Sequence, residues 1–335
     1  MSDALPIVLA LGDPAGIGPE ITAKAWEARH IAGLAPFCAI GDDRALAAVW
    51  HGPVQRINAP HEAMGVFNDA LPVLHIEDGG TISPGAPDVE GARCSIDSLE
   101  MAVGIARSGV ARALVTCPVS KAQLYAIGFQ HPGQTEFIAE RCGVASSNAV
   151  MMLAGPSLRV VPVTTHIPLR DVPDALSIEL IVAKVRATVR GLVRSFAIPE
   201  PRLVMAGLNP HAGEDGALGR EEIDILIPAI EQLRTEGIDI RGPIPADALF
   251  HARSRAGFDA AICMYHDQAL VPLKTLHFDE GVNITLGLPI IRTSPDHGTA
   301  FDIAGTNRAN PGAMIAAIQM ADAATTCRAQ RAEGK

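Results

Sequence analysis

Short apolar runs alternate with longer amphipathic stretches along this chain, and that alternation constrains the fold more than any other feature. Pro6-Ile-Val-Leu-Ala-Leu11, Phe37-Cys-Ala-Ile40 and Ala113-Leu-Val-Thr116 are too short for helices and too uniformly apolar for half-exposed strands, so they read as strands buried on both faces. The first runs into a glycine-rich turn, Gly12-Asp-Pro-Ala-Gly-Ile-Gly-Pro-Glu20, and then a helix through Ile21-Thr-Ala-Lys-Ala-Trp-Glu-Ala28, with Pro19 at the first helical position. A second helix runs over Ser95–Ala106, with Ser95 and Ser98 as candidate caps. Strand, turn and helix in this order predict a largely parallel sheet covered on both faces. Later, Ala149-Val-Met-Met-Leu153, the turn Gly155-Pro-Ser157 and Leu158-Arg-Val-Val-Pro-Val163 predict an antiparallel hairpin. Helices are expected from Ile178 to about Phe196, from about Glu221 to Arg234 and from Pro311 to Arg328, the last packing its Ala-rich face on the first domain.

Composition narrows the function. A chain of 335 residues, 48% apolar, can bury a two-domain core. No apolar run reaches the roughly 18 to 20 residues a bilayer requires, and Met1-Ser-Asp-Ala-Leu-Pro6 lacks the basic region of a signal peptide, so a cytoplasmic location and no membrane partner are expected. A net charge of −10, with two Trp and two Tyr, argues against nucleic acid as a partner. The six scattered cysteines read as reduced core residues.

Three histidines end or closely follow apolar runs: Arg159-Val-Val-Pro-Val-Thr-Thr-His166, Arg202-Leu-Val-Met-Ala-Gly-Leu-Asn-Pro-His211 and Asp259-Ala-Ala-Ile-Cys-Met-Tyr-His266. Ligands bind at the carboxyl ends of strands in open α/β sheets, so these imidazoles are candidate ligands of one divalent ion. Three protein ligands leave positions open for substrate or water, and Asp267 is placed to orient the third ring. Any one of them alone would read as a structural histidine. Lys274, Asn283 and Arg292 offer donors for an anionic group. Arg292-Thr-Ser-Pro-Asp-His-Gly-Thr-Ala-Phe-Asp-Ile-Ala-Gly305, following an expected strand at Pro289-Ile-Ile291, reads as a ligand loop. Asn209–Gly219 and Gly133-Gln-Thr-Glu136 are further polar clusters. The Gly12–Glu20 turn fits neither the Rossmann fingerprint nor a Walker loop.

In order, Gly12-Asp-Pro-Ala-Gly-Ile-Gly-Pro-Glu20, Gly207-Leu-Asn-Pro-His-Ala-Gly-Glu214, Tyr265-His-Asp-Gln268 and Asp296-His-Gly-Thr-Ala-Phe-Asp-Ile-Ala-Gly305 resemble the 4-hydroxythreonine-4-phosphate dehydrogenase family of pyridoxal phosphate biosynthesis. The resemblance implies an α/β fold of two α/β/α domains with a central cleft, like isocitrate and isopropylmalate dehydrogenases. One domain spans 1–133 plus 290–335 on the cofactor side, and the other spans 134–289 and serves metal binding and dimerisation. It also implies a homodimer that shares its active sites. It assigns the metal, zinc, magnesium or cobalt, to His166, His211 and His266, and the substrate to Lys274, Asn283 and Arg292. The family's His-Thr substrate pair falls on Gln134 and Thr135, a departure that removes a charge and a proton shuttle. The implied reaction is NAD- or NADP-dependent oxidation of 4-phosphohydroxy-L-threonine, a small phosphorylated hydroxy amino acid, to 2-amino-3-oxo-4-phosphooxybutanoate. That product decarboxylates to 3-amino-2-oxopropyl phosphate. Asp247 and Lys274 are the candidate proton acceptors, and by analogy with decarboxylating dehydrogenases Asp296, His297, Gly298 and Thr299 face the cofactor. The alternatives are a related dehydrogenase acting on 4-phospho-threonate, 4-phospho-erythronate or a cyclic diol carboxylate, a phosphate-dependent acyltransferase, and a non-catalytic metal-binding protein.

Overall fold

The computed structural model describes residues 5–76 and 80–333. Twelve strands occur among them: β1 (Ile7–Ala10), β2 (Phe37–Gly41), β3 (Val54–Arg56), β4 (Leu71–His75), β5 (Ala113–Thr116), β6 (Val150–Gly155), β7 (Leu158–Pro162), β8 (Leu203–Ala206), β9 (Ile240–Ile244), β10 (Ala260–Cys263), β11 (Val282–Leu286) and β12 (Arg292–Pro295). The chain divides into two compact units, one of residues 1–146 and 288–326 and one of residues 147–287 and 327–335.

In the first unit the strand order is β3-β4-β2-β1-β5-β12, and every pairing is parallel. β1, β2 and β5 are buried along their whole length, as expected for strands covered by helices on both faces. Helices Gly18–Glu27 and Val89–Arg107 follow β1 and β4. In the second unit the order is β11-β6-β7-β10-β8-β9. The β6–β7 hairpin and the β11–β6 pair are antiparallel, and β7, β10, β8 and β9 are parallel. Helix Ile178–Ser195 is capped by Ser177, whose side chain accepts from Leu180 N at 3.1 Å.

Several expectations need correction. The helix expected from Ser95 begins six residues earlier, because Asp88 caps it by accepting from Gly91 N at 2.7 Å. Ser95 and Ser98 lie inside that helix, buried, and donate to Ala92 O and Ile40 O. The strand expected at Pro289–Ile291 lies further on, at Arg292–Pro295, with Arg292 opposite Leu114. Pro289 has no N–H for a ladder, and Ile291 supplies its carbonyl to Leu114 N. Arg292 therefore sits on a buried strand and not in a loop. The helix expected from Glu221 opens with a π-turn over Glu222–Leu226 before the α-helix Ile227–Thr235. The terminal helix runs over Gly312–Glu333, and Ala317 O accepts from Thr293 Oγ1 on β12 at 2.8 Å.

Candidate functional site

In the second unit, β7, β10 and β8 are adjacent and parallel, so their carboxyl ends lie side by side. The chain leaves all three with a histidine: His166 four residues after β7, His266 as the first residue of helix His266–His277 after β10, and His211 five residues after β8. Register sets their height. Val161 pairs with Ile262, which pairs with Met205, and the ladder continues through Val163 N to Cys263 O and Thr164 N to Met264 O. Chain order does not place β10 between β7 and β8; the sheet topology does.

His166 and His266 have ring centroids 5.5 Å apart and share a cavity of about 210 Å³ with Thr165, Tyr265 and Asp267. His266 Nδ1 lies 2.7 Å from Asp267 Oδ1. A carboxylate can only accept, so Nδ1 is the donor of this bond and Nε2 is the ring nitrogen left to face a ligand. His211 lines a neighbouring cavity of about 330 Å³ with Asn209, Asp247, Tyr265 and Gln268, so Tyr265 borders both spaces. Asp247, a candidate proton acceptor, thus shares a cavity with His211. The three imidazoles do not come together as a closed set. Among the described residues, Asp42, Asp43 and His75 are the group whose three ligand atoms lie within 4.8 Å of one another. That group is an ion-pair network: Asp42 binds Arg44, while Asp43 binds Arg56 and stands 3.0 Å from His75 Nδ1. Burial opposes ionisation of Asp42, yet hydrogen bonds from Arg44 hold its carboxyl below its ordinary range.

Two of the three histidines occupy left-handed backbone, with φ of 55° at His166 and 53° at His211. The second opens a run in which Ala212, Gly213, Glu214 and Asp215 also have positive φ. Such conformations cost about 1 to 2 kcal/mol per non-glycine residue and persist where the surroundings fix them. Here Glu222, 2% exposed, accepts from Asn209 N at 2.8 Å and from Asn209 Nδ2 at 2.9 Å. Gln268 ties the end of β10 to the end of β8 through Met264 N and Gly207 O, each at 2.7 Å. Sequence reading assigned neither residue a role. The tetrapeptide Tyr265-His-Asp-Gln268 held the signal for one, and the π-turn, unmarked in sequence, places the other.

Lys274 lies two turns down the helix that His266 begins, in a groove with Asp267, Leu270, Val271 and Thr275, and its Nζ is 5.6 Å from the Phe278 ring centre. Asn283 is on β11, and its Oδ1 is buried with no hydrogen-bond partner among the described residues.

In the first unit, Arg292 is 3% exposed. Burial pushes its guanidinium down to about 10, against the opposing charge of Glu136, so it stays cationic at neutral pH. It donates to Thr116 Oγ1 at 2.8 Å and reaches Gln134 Oε1 and Thr135 Oγ1 at 3.5 Å. Gln134 and Thr135 open helix Gln134–Arg141, and Gln134 Nε2 donates to Cys117 O at 3.0 Å, which aims its carbonyl at the arginine. The loop with Asp296, His297, Gly298 and Thr299 leads on from β12. Thr299 O accepts from Ile17 N at 3.0 Å, so this loop packs on the Gly12–Glu20 turn. Glu20 Oε1 accepts from Ala309 N at 2.9 Å and Lys24 Nζ at 2.8 Å, binding the first motif to the segment after the last.

Parallel strands with imidazoles just past their ends in one unit, and a parallel strand carrying a buried guanidinium in the other, define an α/β fold, a class in which ligands bind at the carboxyl ends of strands. The chain belongs to the pyridoxal phosphate biosynthetic protein PdxA family, whose model matches residues 34–321. It is 58% identical over 316 residues to 4-hydroxythreonine-4-phosphate dehydrogenase of Zymomonas mobilis subsp. mobilis, covering 94% of each chain. The corresponding protein of Erythrobacter litoralis is 55% identical over 333 residues, covering 98% of each. A solved 4-hydroxythreonine-4-phosphate dehydrogenase from Klebsiella pneumoniae superposes with a TM-score of 0.85 at 35% identity, over 96% of this chain and 98% of that one. No helix among the described residues is long and apolar enough to cross a membrane.

Proposed function

We propose that this chain oxidises 4-phosphohydroxy-L-threonine to 2-amino-3-oxo-4-phosphooxybutanoate, which loses CO2 to give 3-amino-2-oxopropyl phosphate. The observation that carries the reading is the delivery of His166, His211 and His266 by three adjacent parallel strands, in a chain of this family. The donor set fits a divalent ion such as zinc, magnesium or cobalt: three imidazoles, with the His266 tautomer fixed by Asp267. An ion held by His166, His211 and His266 would supply Lewis acidity toward the substrate hydroxyl, and a bound NAD or NADP would supply the hydride acceptor.

The remaining work falls to this chain's own side chains. Arg292 stays charged in a buried setting and binds the substrate's anionic end, with Gln134 and Thr135 holding its guanidinium. Lys274 and Asn283 supply further donors, and Asp247, beside His211, takes the hydroxyl proton, with Lys274 the alternative. Asp296, His297, Gly298 and Thr299 face the dinucleotide. Ile167, Leu169 and Val271 are exposed apolar side chains beside the histidine cavity and the Lys274 groove, a surface suited to a second copy of the chain sharing the site. A cytoplasmic location follows from metabolism of a phosphorylated intermediate.

One departure favours a second reading. Gln134 commits its amide to Cys117 O and cannot shuttle protons, which suits a related substrate such as 4-phospho-threonate, 4-phospho-erythronate or a cyclic diol carboxylate. The test is nicotinamide reduction with 4-phosphohydroxy-L-threonine, with and without chelator. Turnover that a chelator abolishes and added metal restores supports the main reading. No turnover there, with turnover on a related acid, selects the second.

A further inference from the structure

β8 and β10 pair as far as Met205 and Ile262, and beyond that point their backbones part. One enters the left-handed turn that carries His211, and the other enters the helix that begins with His266. Past the end of the ladder, one buried side chain joins them. Gln268 is 7% exposed, accepts from Met264 N two residues before His266, and donates to Gly207 O four residues before His211, both at 2.7 Å. A primary amide offers an acceptor and a donor at one end of a side chain, and a bridge between an N–H and a carbonyl needs both. Neither bond touches substrate or cofactor in the reaction above.

We propose that Gln268 is a positioning residue that sets the spacing of His211 from His266, and through it the affinity and geometry with which these histidines hold a divalent cation. The inference rests on the metal reading given under Proposed function. The bridge acts at the root of both loops, where a change in separation is passed on to both imidazoles. A glutamine serving the fold alone would contribute to stability and leave the coordination of a bound ion unchanged.

Two substitutions separate the bonds. Gln268→Glu keeps the size and the acceptor for Met264 N but sets a carboxylate oxygen against Gly207 O. Gln268→Met keeps the length and removes both bonds. For the full chain and for Gln268→Glu, Gln268→Met, His211→Ala and His266→Ala, cobalt(II) affinity is measured by chelator competition, the visible spectrum of bound cobalt is recorded, and the thermal midpoint is taken. Both Gln268 variants are expected to bind cobalt about 10- to 100-fold more weakly, the range found for groups that orient metal ligands, with an altered visible band. Wild-type affinity and spectrum in both, with cobalt binding lost in the histidine variants, overturns the role of Gln268. A lowered thermal midpoint with an unchanged cobalt band overturns it too. Undiminished cobalt binding in His211→Ala and His266→Ala overturns instead the metal reading beneath it. If Gln268→Met does not fold, Gln268→Asn, whose amide is one methylene too short to reach both partners, carries the same expectations.

Discussion

Two turns leave the carboxyl ends of parallel strands in this protein, and they are built by opposite means. After β1, Gly12 takes the positive φ of 69°, and a Cβ there would collide with the Pro118 carbonyl oxygen; at Gly18 it would collide with that of Leu11. Residues 12–20 are all buried. After β8, four non-glycine residues, His211, Ala212, Glu214 and Asp215, take positive φ, and His211 is exposed. The first turn spends its glycines on close packing and presents little side-chain chemistry. The second accepts strain and presents an imidazole. Glycine content, which both turns share, does not separate them; left-handed backbone at non-glycine residues does.

Breaking the first turn has the largest expected effect. Gly12→Ala combines a collision with strained φ and is expected to cost about 3 kcal/mol or more, read as a lower denaturant midpoint. His211→Ala should do the reverse, leaving that midpoint nearly unchanged while divalent-ion affinity and turnover fall by more than the roughly 100-fold attached to supporting residues. Normal metal content in that variant would remove the functional half of the contrast. A third test uses Asp13, in the packed turn. Burial, countered by the Ala15 N–H and helped by the charge of Asp88, pushes its carboxyl from 3.8 up to about 6. Between those values the folded form holds a proton that the unfolded chain has released, so this group's contribution to stability falls as pH rises through the window. Asp13→Asn lacks that loss and should gain about 2 kcal/mol on the wild type between pH 4 and 7 in paired unfolding curves. The smallest effect is Ala212→Gly, which relieves left-handed strain at an entropic cost and should stabilise by about 0.5 kcal/mol. Destabilisation would show that the Ala212 methyl, packed by Gly207, outweighs the strain.

Much of this architecture is legible in the chain because buried strands betray themselves locally: β1, β2, β5 and the β6–β7 hairpin lie where short apolar runs and turn residues put them. The position of the three histidines just past strand ends is legible for the same reason; their role belongs to the proposal above. What escaped depends on distance. Ser95 and Ser98 look like caps until Ile40 O claims one of them from another strand, and Asp88 does the capping. Arg292 looks like a loop residue until β5 recruits it into a ladder across nearly 180 positions. Gln268 and Glu222 look like ordinary polar residues near a helix start. Their roles exist once β10 lies beside β8 and the Asn209 turn folds back on the π-turn, and neither arrangement has a local signature.

The bond between Glu20 and Ala309 has a consequence for synthesis on the ribosome. A buried carboxylate near the start of the chain waits for a backbone N–H and a lysine geometry completed 289 residues later, and β5 waits almost as long for β12. Residues 147–287, which carry all the strands of the second unit, are translated in the interval. The strands of the first unit are thus the first to be translated and the last to be completed, and until β12 arrives β5 offers an open edge to any strand that passes.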